Sequence, residues 1–162
     1  NMKRKLVIIN TIGIVLIVGY LAYLAFGAFR SGYPWSLVCY NCKQCNASCI
    51  LGMDPQGFIE SAYANDADIY MYATNIRMTL QKAYDIDPGM TLKAGNDTIT
   101  AREALESRGI PPEAEIITYR MRARDAAKIC LDCGACDKSC PIKLPVSSII
   151  RHLKQHDSFG SE

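Results

Sequence analysis

Eight cysteines stand in two groups of identical spacing, Cys39-x-x-Cys42-x-x-Cys45-x-x-x-Cys49 and Cys130-x-x-Cys133-x-x-Cys136-x-x-x-Cys140-Pro141. In a chain of 162 residues, so much sulfur serves disulfide staples, zinc or iron–sulfur clusters. Zinc ribbons use cysteines in pairs, and the third member of a triple Cys-x-x-Cys run has no place in a tetrahedral site. Disulfides between cysteines three apart are redox-catalytic devices, and two identical groups of four make a poor staple pattern. The remaining chemistry needs this spacing. Three thiolates wrap a loop around one cubane, each reaching a different iron, while the fourth points away to serve the other cluster, with proline following. Four cysteines in each set predict [4Fe–4S] in place of [3Fe–4S]. The expected cofactors are therefore two [4Fe–4S] clusters, with Cys39, Cys42, Cys45, Cys49, Cys130, Cys133, Cys136 and Cys140 as the metal ligands.

All eight thiols are consumed in this way, leaving none to act as a nucleophile or to open a coordination position, and no catalytic residue is expected. Other candidates read as structural. His152 and His156 sit four apart on a basic helix end, where imidazole suits the dipole; that reading outweighs a paired-ligand role. Arg120, Arg122, Arg124 and Lys128 are expected on one helix before the second cysteine group, as an exposed charged face balanced by Glu113, Glu115 and Asp125. A docking face, or charge raising a cluster potential, is the functional counterpart. Gly134 beside Cys133 lets backbone approach the cluster. Tyr63, Tyr70 and Tyr72 read as packing or surface residues before they read as an electron wire. No Gly-x-Gly-x-x-Gly or Walker motif supports a nucleotide or flavin site.

The paired cysteine groups, separated by a long insert, resemble the alpha-helical ferredoxin domain of the iron–sulfur subunits of succinate dehydrogenases and fumarate reductases. They resemble still more closely the small iron–sulfur subunit of heterodisulfide reductases. The likeness covers about Cys39 to Leu153, and its specific part is the cysteine spacing. It implies a crossed ligand set, with Cys39, Cys42, Cys45 and Cys140 on one cluster and Cys130, Cys133, Cys136 and Cys49 on the other. A sequence-local alternative, in which each group of four closes its own cluster, stays open. Ile50 stands where the family often has proline after the fourth cysteine, which touches loop shape and no ligand. An N-terminal anchor is also untypical of the soluble members, and it implies docking to a membrane complex.

The elements that must position these loops begin with an apolar run. Leu6 to Phe29 is 24 residues without a charge. As a helix it rises roughly 36 Å, enough to cross a hydrocarbon core of about 30 Å with tilt. It is too long for a signal-peptide core and no small-x-small cleavage site follows. Tyr33, Pro34 and Trp35 suit the interface. Lys3, Arg4 and Lys5 precede the span, which by the positive-inside rule favours a cytoplasmic N-terminus and an external cysteine domain. Cluster assembly in the cytoplasm weighs against that orientation.

Beyond the span, Asp54-Pro55 signals a helix start. Ile69, Tyr72, Ile76, Met78 and Leu80 recur at roughly helical spacing up to Ile86, where Asp87-Pro88-Gly89 turns the chain. Met90–Leu92 and Thr98–Ile99 are expected to pair as a hairpin across Gly95-Asn96-Asp97. Thr100-x-x-Glu103 is a capping box with Gly109 ending its short helix. Pro111-Pro112 is expected to open a helix from Glu113 to Lys128, and Pro145 a last helix through Gln155. The expected architecture is mainly α: residues 1–30 a transmembrane anchor, and residues 31–162 an alpha-helical ferredoxin-like dicluster domain.

Charge narrows the function classes. The formal net charge is +2, but Lys3, Arg4, Lys5 and Arg30 flank the span and every acid lies beyond it. The remainder carries 14 Lys+Arg against 16 Asp+Glu. Two oxidised clusters on eight thiolates add about four more negative charges. No basic field is left for nucleic acid. The expected role is a membrane-anchored relay of single electrons. Its expected partners are membrane lipid and other subunits of a redox complex, such as a catalytic subunit or a cytochrome. A structural or redox-sensing module without turnover is the competing class; a chain that completes a reductase site on another subunit is a third.

Overall fold

A computed structural model describes residues 2–160. Helix α1, Met2–Arg30, contains the apolar run and stands almost wholly exposed until its last turns. Among the described residues it is the one helix long and apolar enough to cross a membrane. Its end is fastened to the rest of the chain. Ala28 and Ser31 are buried, and a Cβ on Gly27 would lie 2.4 Å from the Tyr63 carbonyl oxygen. Only a residue without a side chain permits that approach. A short 3-10 turn, Pro34–Val38, follows and leads directly into the first cysteine group.

Two short helices flank the cysteine loops, α2 (Gln44–Ala47) in the first and α6 (Ala135–Ser139) in the second, and they pack on each other. Helix α3, Pro55–Ala64, starts as the sequence indicates: the Asp54 carboxylate accepts from the Gln56 N–H at 3.1 Å, and Pro55 occupies the first turn. Helices α5 (Ala123–Ile129) and α7 (Val146–Gln155) pack against α3 and each other. Phe58, Ala126, Ala127, Ile149, Ile150 and Leu153 are fully or almost fully buried there. Pro145 and Gln155 bound α7 as expected.

The insert between the cysteine groups departs from the mainly helical expectation. It carries a five-stranded antiparallel sheet in the order β1-β5-β3-β4, with β2 also on β5. The strands are β1 (Tyr70–Tyr72), β2 (Arg77–Thr79), β3 (Thr91–Ala94), β4 (Asp97–Thr100) and β5 (Glu115–Arg122). Residues 69–79, expected as helix, form β1 and β2; only Leu80–Ile86 is helical (α4). In both strands a buried methionine, Met71 or Met78, alternates with exposed neighbours, which is period two. The helix expected over Glu113–Lys128 is β5 followed by α5. Ile116, Ile117, Thr118 and Tyr119 are β-branched or aromatic, and Thr118 and Met121 turn inward. Strand β5 is the axis of the insert: β1 lies on its Arg120–Arg122 end and β2 on its Glu115–Ile117 end, while β3 takes the opposite edge.

The β3–β4 hairpin forms, with Leu92 facing Ile99; its turn is tighter than expected, Asp97 pairing with Ala94 across Gly95-Asn96 alone. So does the cap, in which the Glu103 N–H donates to the Thr100 hydroxyl at 3.1 Å. The turn it starts is a single π-helical turn, Glu103–Ser107, and Gly109 beyond it has φ +60°. The sheet is fastened to the first cysteine group by Met53, which bridges to Ala73, and by the Asp54 N–H donating to the Tyr72 carbonyl at 2.9 Å.

Candidate iron–sulfur centre

The two cysteine loops repeat one backbone path. Asn41 and Asp132, each two residues after its first cysteine, have φ of 60° and 52°. Lys43 and Gly134, each four after it, have φ of 58° and 68°. Left-handed residues on both sides of the second cysteine turn the chain tightly, and the third cysteine then falls at the start of α2 or α6. The repeat extends to exposure. Cys42 and Cys133 are exposed, and Cys39 and Cys130 half-buried; beyond them the groups differ, with Cys45 and Cys140 buried but Cys136 and Cys49 half-buried.

The fold brings these loops face to face. The Ser48 hydroxyl, beside Cys49, reaches the Ala135 carbonyl at 3.4 Å. Cys49 borders the same cavity as Cys130, Cys133 and Cys136, which Met53, Phe58 and Ile150 close from the core side. On the other loop, Tyr40 has its pKa raised, first by desolvation and then by the thiols of Cys42, Cys140 and Cys39. Cys140 therefore neighbours the first cysteine loop, although its own group lies in the second. Among the described residues, no three Cys, His, Asp or Glu side chains converge on one ion. A cubane takes its thiolates on four separate irons, so its donors ring a space and do not meet at a point.

Burial sets the protonation of the free thiols. Desolvation pushes the Cys45 thiol up to about 11 and the Cys136 thiol up to about 12. Cys130 is raised for the same cause. Desolvation disfavours the thiolate; a bound cation reverses the preference, because a coordinating thiol is deprotonated outright. The donor set fits an iron–sulfur core: eight thiols, no other protein ligand needed, in two neighbouring sets of four. The core would supply one-electron redox chemistry. The protein's part is to hold the thiolates and to shape the charge around them.

Several residues that do so gave no sequence signal. The Lys154 ammonium donates to the Cys130 carbonyl at 2.6 Å and to the Asp132 carboxylate, clasping the second loop from α7. The Asp137 carboxylate, next to Cys136, accepts from the N–H of Ser147 at 2.9 Å and from its hydroxyl. It thereby caps the first turn of α7 from ten residues away. The Leu144 N–H points to Cys140 Sγ at 3.4 Å. The Lys154 and Asp137 contacts join residues ten or more apart, so no local pattern announces them.

The basic residues expected on one helix face are divided. Arg120 and Arg122 lie on β5, with Arg124 and Lys128 on α5. Of the expected counter-charges only Asp125 serves, accepting from Arg122 Nε at 2.7 Å. Asp87 and Asp68 complete the Arg122 pairing. The Tyr70 hydroxyl donates to Asp87 at 2.6 Å, and Arg120 covers the Tyr72 ring at 5.1 Å, so both tyrosines fasten the sheet. His152 stacks on Phe159 at 5.8 Å and meets Tyr33 edge-on, while His156 is exposed.

No curated protein and no solved structure matches the chain. A family model described as a 4Fe-4S dicluster domain matches residues 35–144, a stretch that opens at the 3-10 turn and contains all eight cysteines. With two thirds of its length matched and two facing cysteine loops of repeated geometry, the chain belongs to the 4Fe-4S dicluster domain family.

Proposed function

We propose that the protein is a membrane-anchored relay that passes single electrons through two [4Fe–4S] clusters within a respiratory or other redox complex. The crossed ligand set is part of this reading: Cys39, Cys42, Cys45 and Cys140 hold one cluster, and Cys49, Cys130, Cys133 and Cys136 the other. The observation that carries it is the cavity bordered by Cys49 together with the three cysteines of the distant loop. A sequence-local closure would leave Cys49 facing the wrong set. Helix α1 serves as the anchor, supported by its length and its apolar, exposed surface. The N-terminus lies in the cytoplasm, which the basic residues Lys3 to Lys5 support.

The partners are other subunits of the complex, a catalytic subunit or a cytochrome. Exposed apolar side chains beside the cysteines support such docking. Val38, Tyr40, Ile50, Leu131 and Ile142 each lie within two residues of a cysteine and are 43% to 70% exposed. Apolar surface at this position excludes water from the edge through which an electron enters or leaves.

Iron and sulfide analysis with electron paramagnetic resonance on anaerobically purified, detergent-solubilised protein tests the reading. About eight irons per chain are expected, with two interacting signals on reduction. Cys49→Ser and Cys133→Ser should alter one signal, Cys140→Ser and Cys42→Ser the other. If Cys49→Ser instead alters the signal that Cys42→Ser alters, the pairing is local and the crossed assignment fails.

A further inference from the structure

The two cysteine loops share a backbone and differ in charge. Counting from the first cysteine of each group, the third position is Asn41 in one loop and Asp132 in the other, both left-handed. The fifth is Lys43 against Gly134, again both left-handed. The eighth is Asn46 against Asp137, and these two serve the same structural end. Asn46 Oδ1 accepts from the Gln56 N–H at 3.4 Å in the first turn of α3, and Asp137 Oδ1 from the Ser147 N–H at 2.9 Å in the first turn of α7. Each also lies against the thiol before it. Cys45 Sγ is 3.5 Å from Asn46 Oδ1, and Cys136 Sγ is 3.7 Å from Asp137 Oδ1. One loop is thus built twice, with neutral amides in the first copy where the second carries carboxylates.

The surrounding charges keep that difference. At the first loop, Lys43 offsets Asp54, whose charge bears on the Cys45 thiol. Lys138 and Lys143 flank Cys140, which neighbours the same loop. At the second loop, Lys154 pairs with Asp132, whereas Asp137 bonds only Ser147 and the adjacent thiol. Burial pushes the Cys136 thiol up to about 12, with the Asp137 charge next in weight, and the Cys45 thiol up to about 11. Reduction adds negative charge to a core that is already negative, so a carboxylate beside its ligands lowers its potential. The deeper burial of Cys45 and Cys140 acts the other way. A full charge within reach of a ligand sulfur outweighs that partial difference in exposure.

We propose that Asn41, Asn46, Asp132 and Asp137 set the order of the two cluster potentials, so that the first electron accepted from a donor rests on the cluster of Cys39, Cys42 and Cys45. The cluster of Cys130, Cys133 and Cys136 is then the low-potential member of the pair. The inference rests on the two-cluster relay and is independent of which set takes Cys49 and which Cys140.

In the test, the full, iron-loaded chain in detergent is titrated anaerobically with dithionite at controlled ambient potential and followed by electron paramagnetic resonance. Two midpoints are expected. Asn46→Asp should lower the higher one and Asp137→Asn raise the lower one. Each should change the ratio of reduced to oxidised cluster about tenfold at fixed ambient potential, or about 59 mV for one electron. Asn41 and Asp132 are exposed, so Asn41→Asp and Asp132→Asn should act in the same directions by about threefold, screened by water. Each exchange installs a residue that the other loop already carries on the same backbone, so iron content and thermal midpoint should hold. Lys43→Gly should lower the higher potential while raising the urea midpoint, a split that a purely structural role would not produce. A lower midpoint that answers to Asn46→Asp, or midpoints unmoved by Asn46→Asp and Asp137→Asn alike, would overturn the proposal. Iron analysis on the same sample keeps the two readings apart. A chain without a pair of reversible centres refutes the relay and this inference with it; two centres in the reverse order refute this inference alone.

Discussion

The fifth position of each cysteine run meets the same conformational demand with a different residue. Gly134 adopts its φ of 68° without strain, while Lys43 holds 58° with a side chain attached. A left-handed residue with a Cβ costs roughly 1–2 kcal/mol, and glycine gives part of this back through its freer unfolded chain. Lys43→Gly should therefore stabilise the protein by about 0.5–1 kcal/mol, read as a raised urea midpoint at unchanged iron content. The thiols make a second prediction. Cys45, Cys130 and Cys136 have folded pKa values raised above the ordinary 9.0. In cluster-free protein their contribution to stability is full below pH 9 and is lost as pH rises toward the folded values. Urea midpoints of the cluster-free chain should fall between pH 9 and 11, whereas the loaded protein, whose ligands are already thiolates, should lack that fall. At this scale the cysteines were legible from spacing alone. Lys154 and Asp137 were not, because their partners Cys130 and Ser147 lie on elements that only the fold brings near.

Elements divide into those announced by their ends and those that depend on a neighbour. The α3 and α7 starts, the Thr100 cap and the β3–β4 turn are written in local residues, and all formed at or within a residue of where the sequence places them. Strands β1 and β2 have three residues each, too short for their alternation to be told from helical spacing in the sequence. Both exist only because β5 offers them an edge. The arginines in β5 and the double proline before it favoured a helical reading, which burial of Thr118 and Met121 overrides. Thr118 is the test of that sheet. Its hydroxyl reaches the Ala73 carbonyl, and Ile76 stands at 3.3 Å. Thr118→Val leaves the Ala73 carbonyl without its donor in the core, while Ile76 keeps the Thr118 N–H at 3.0 Å, and should cost about 1–3 kcal/mol, measured by thermal unfolding. Gly27→Leu addresses the opposite end of the molecule. The added carbon meets backbone at 2.4 Å, so α1 must separate from α3. A loss of about 1–3 kcal/mol is expected, with protease cleavage near residues 27–33 as the readout.

For the molecule as a whole, the apolar helix and the dicluster head form one fastened object. Tyr33 meets Trp35, His152 and Phe159 edge-on within 6.1 Å, so the segment between α1 and the head is packed against α7. If α1 spans the bilayer, the full chain should stay with membranes through an alkaline carbonate wash; release into the supernatant would reduce α1 to a peripheral helix. The nearness of Cys140 to the first loop also has a bearing on biosynthesis. On the crossed assignment, the first three cysteines leave the ribosome about a hundred residues before their fourth partner. Neither four-thiol site is complete until the second group has emerged, to Cys136 for one and to Cys140 for the other, and loss of either loop disables both. On that assignment iron–sulfur delivery waits for the second cysteine group, by which time α1, if it is the anchor, is already available to the insertion machinery. Metallation and membrane targeting would then compete in time for the same nascent polypeptide.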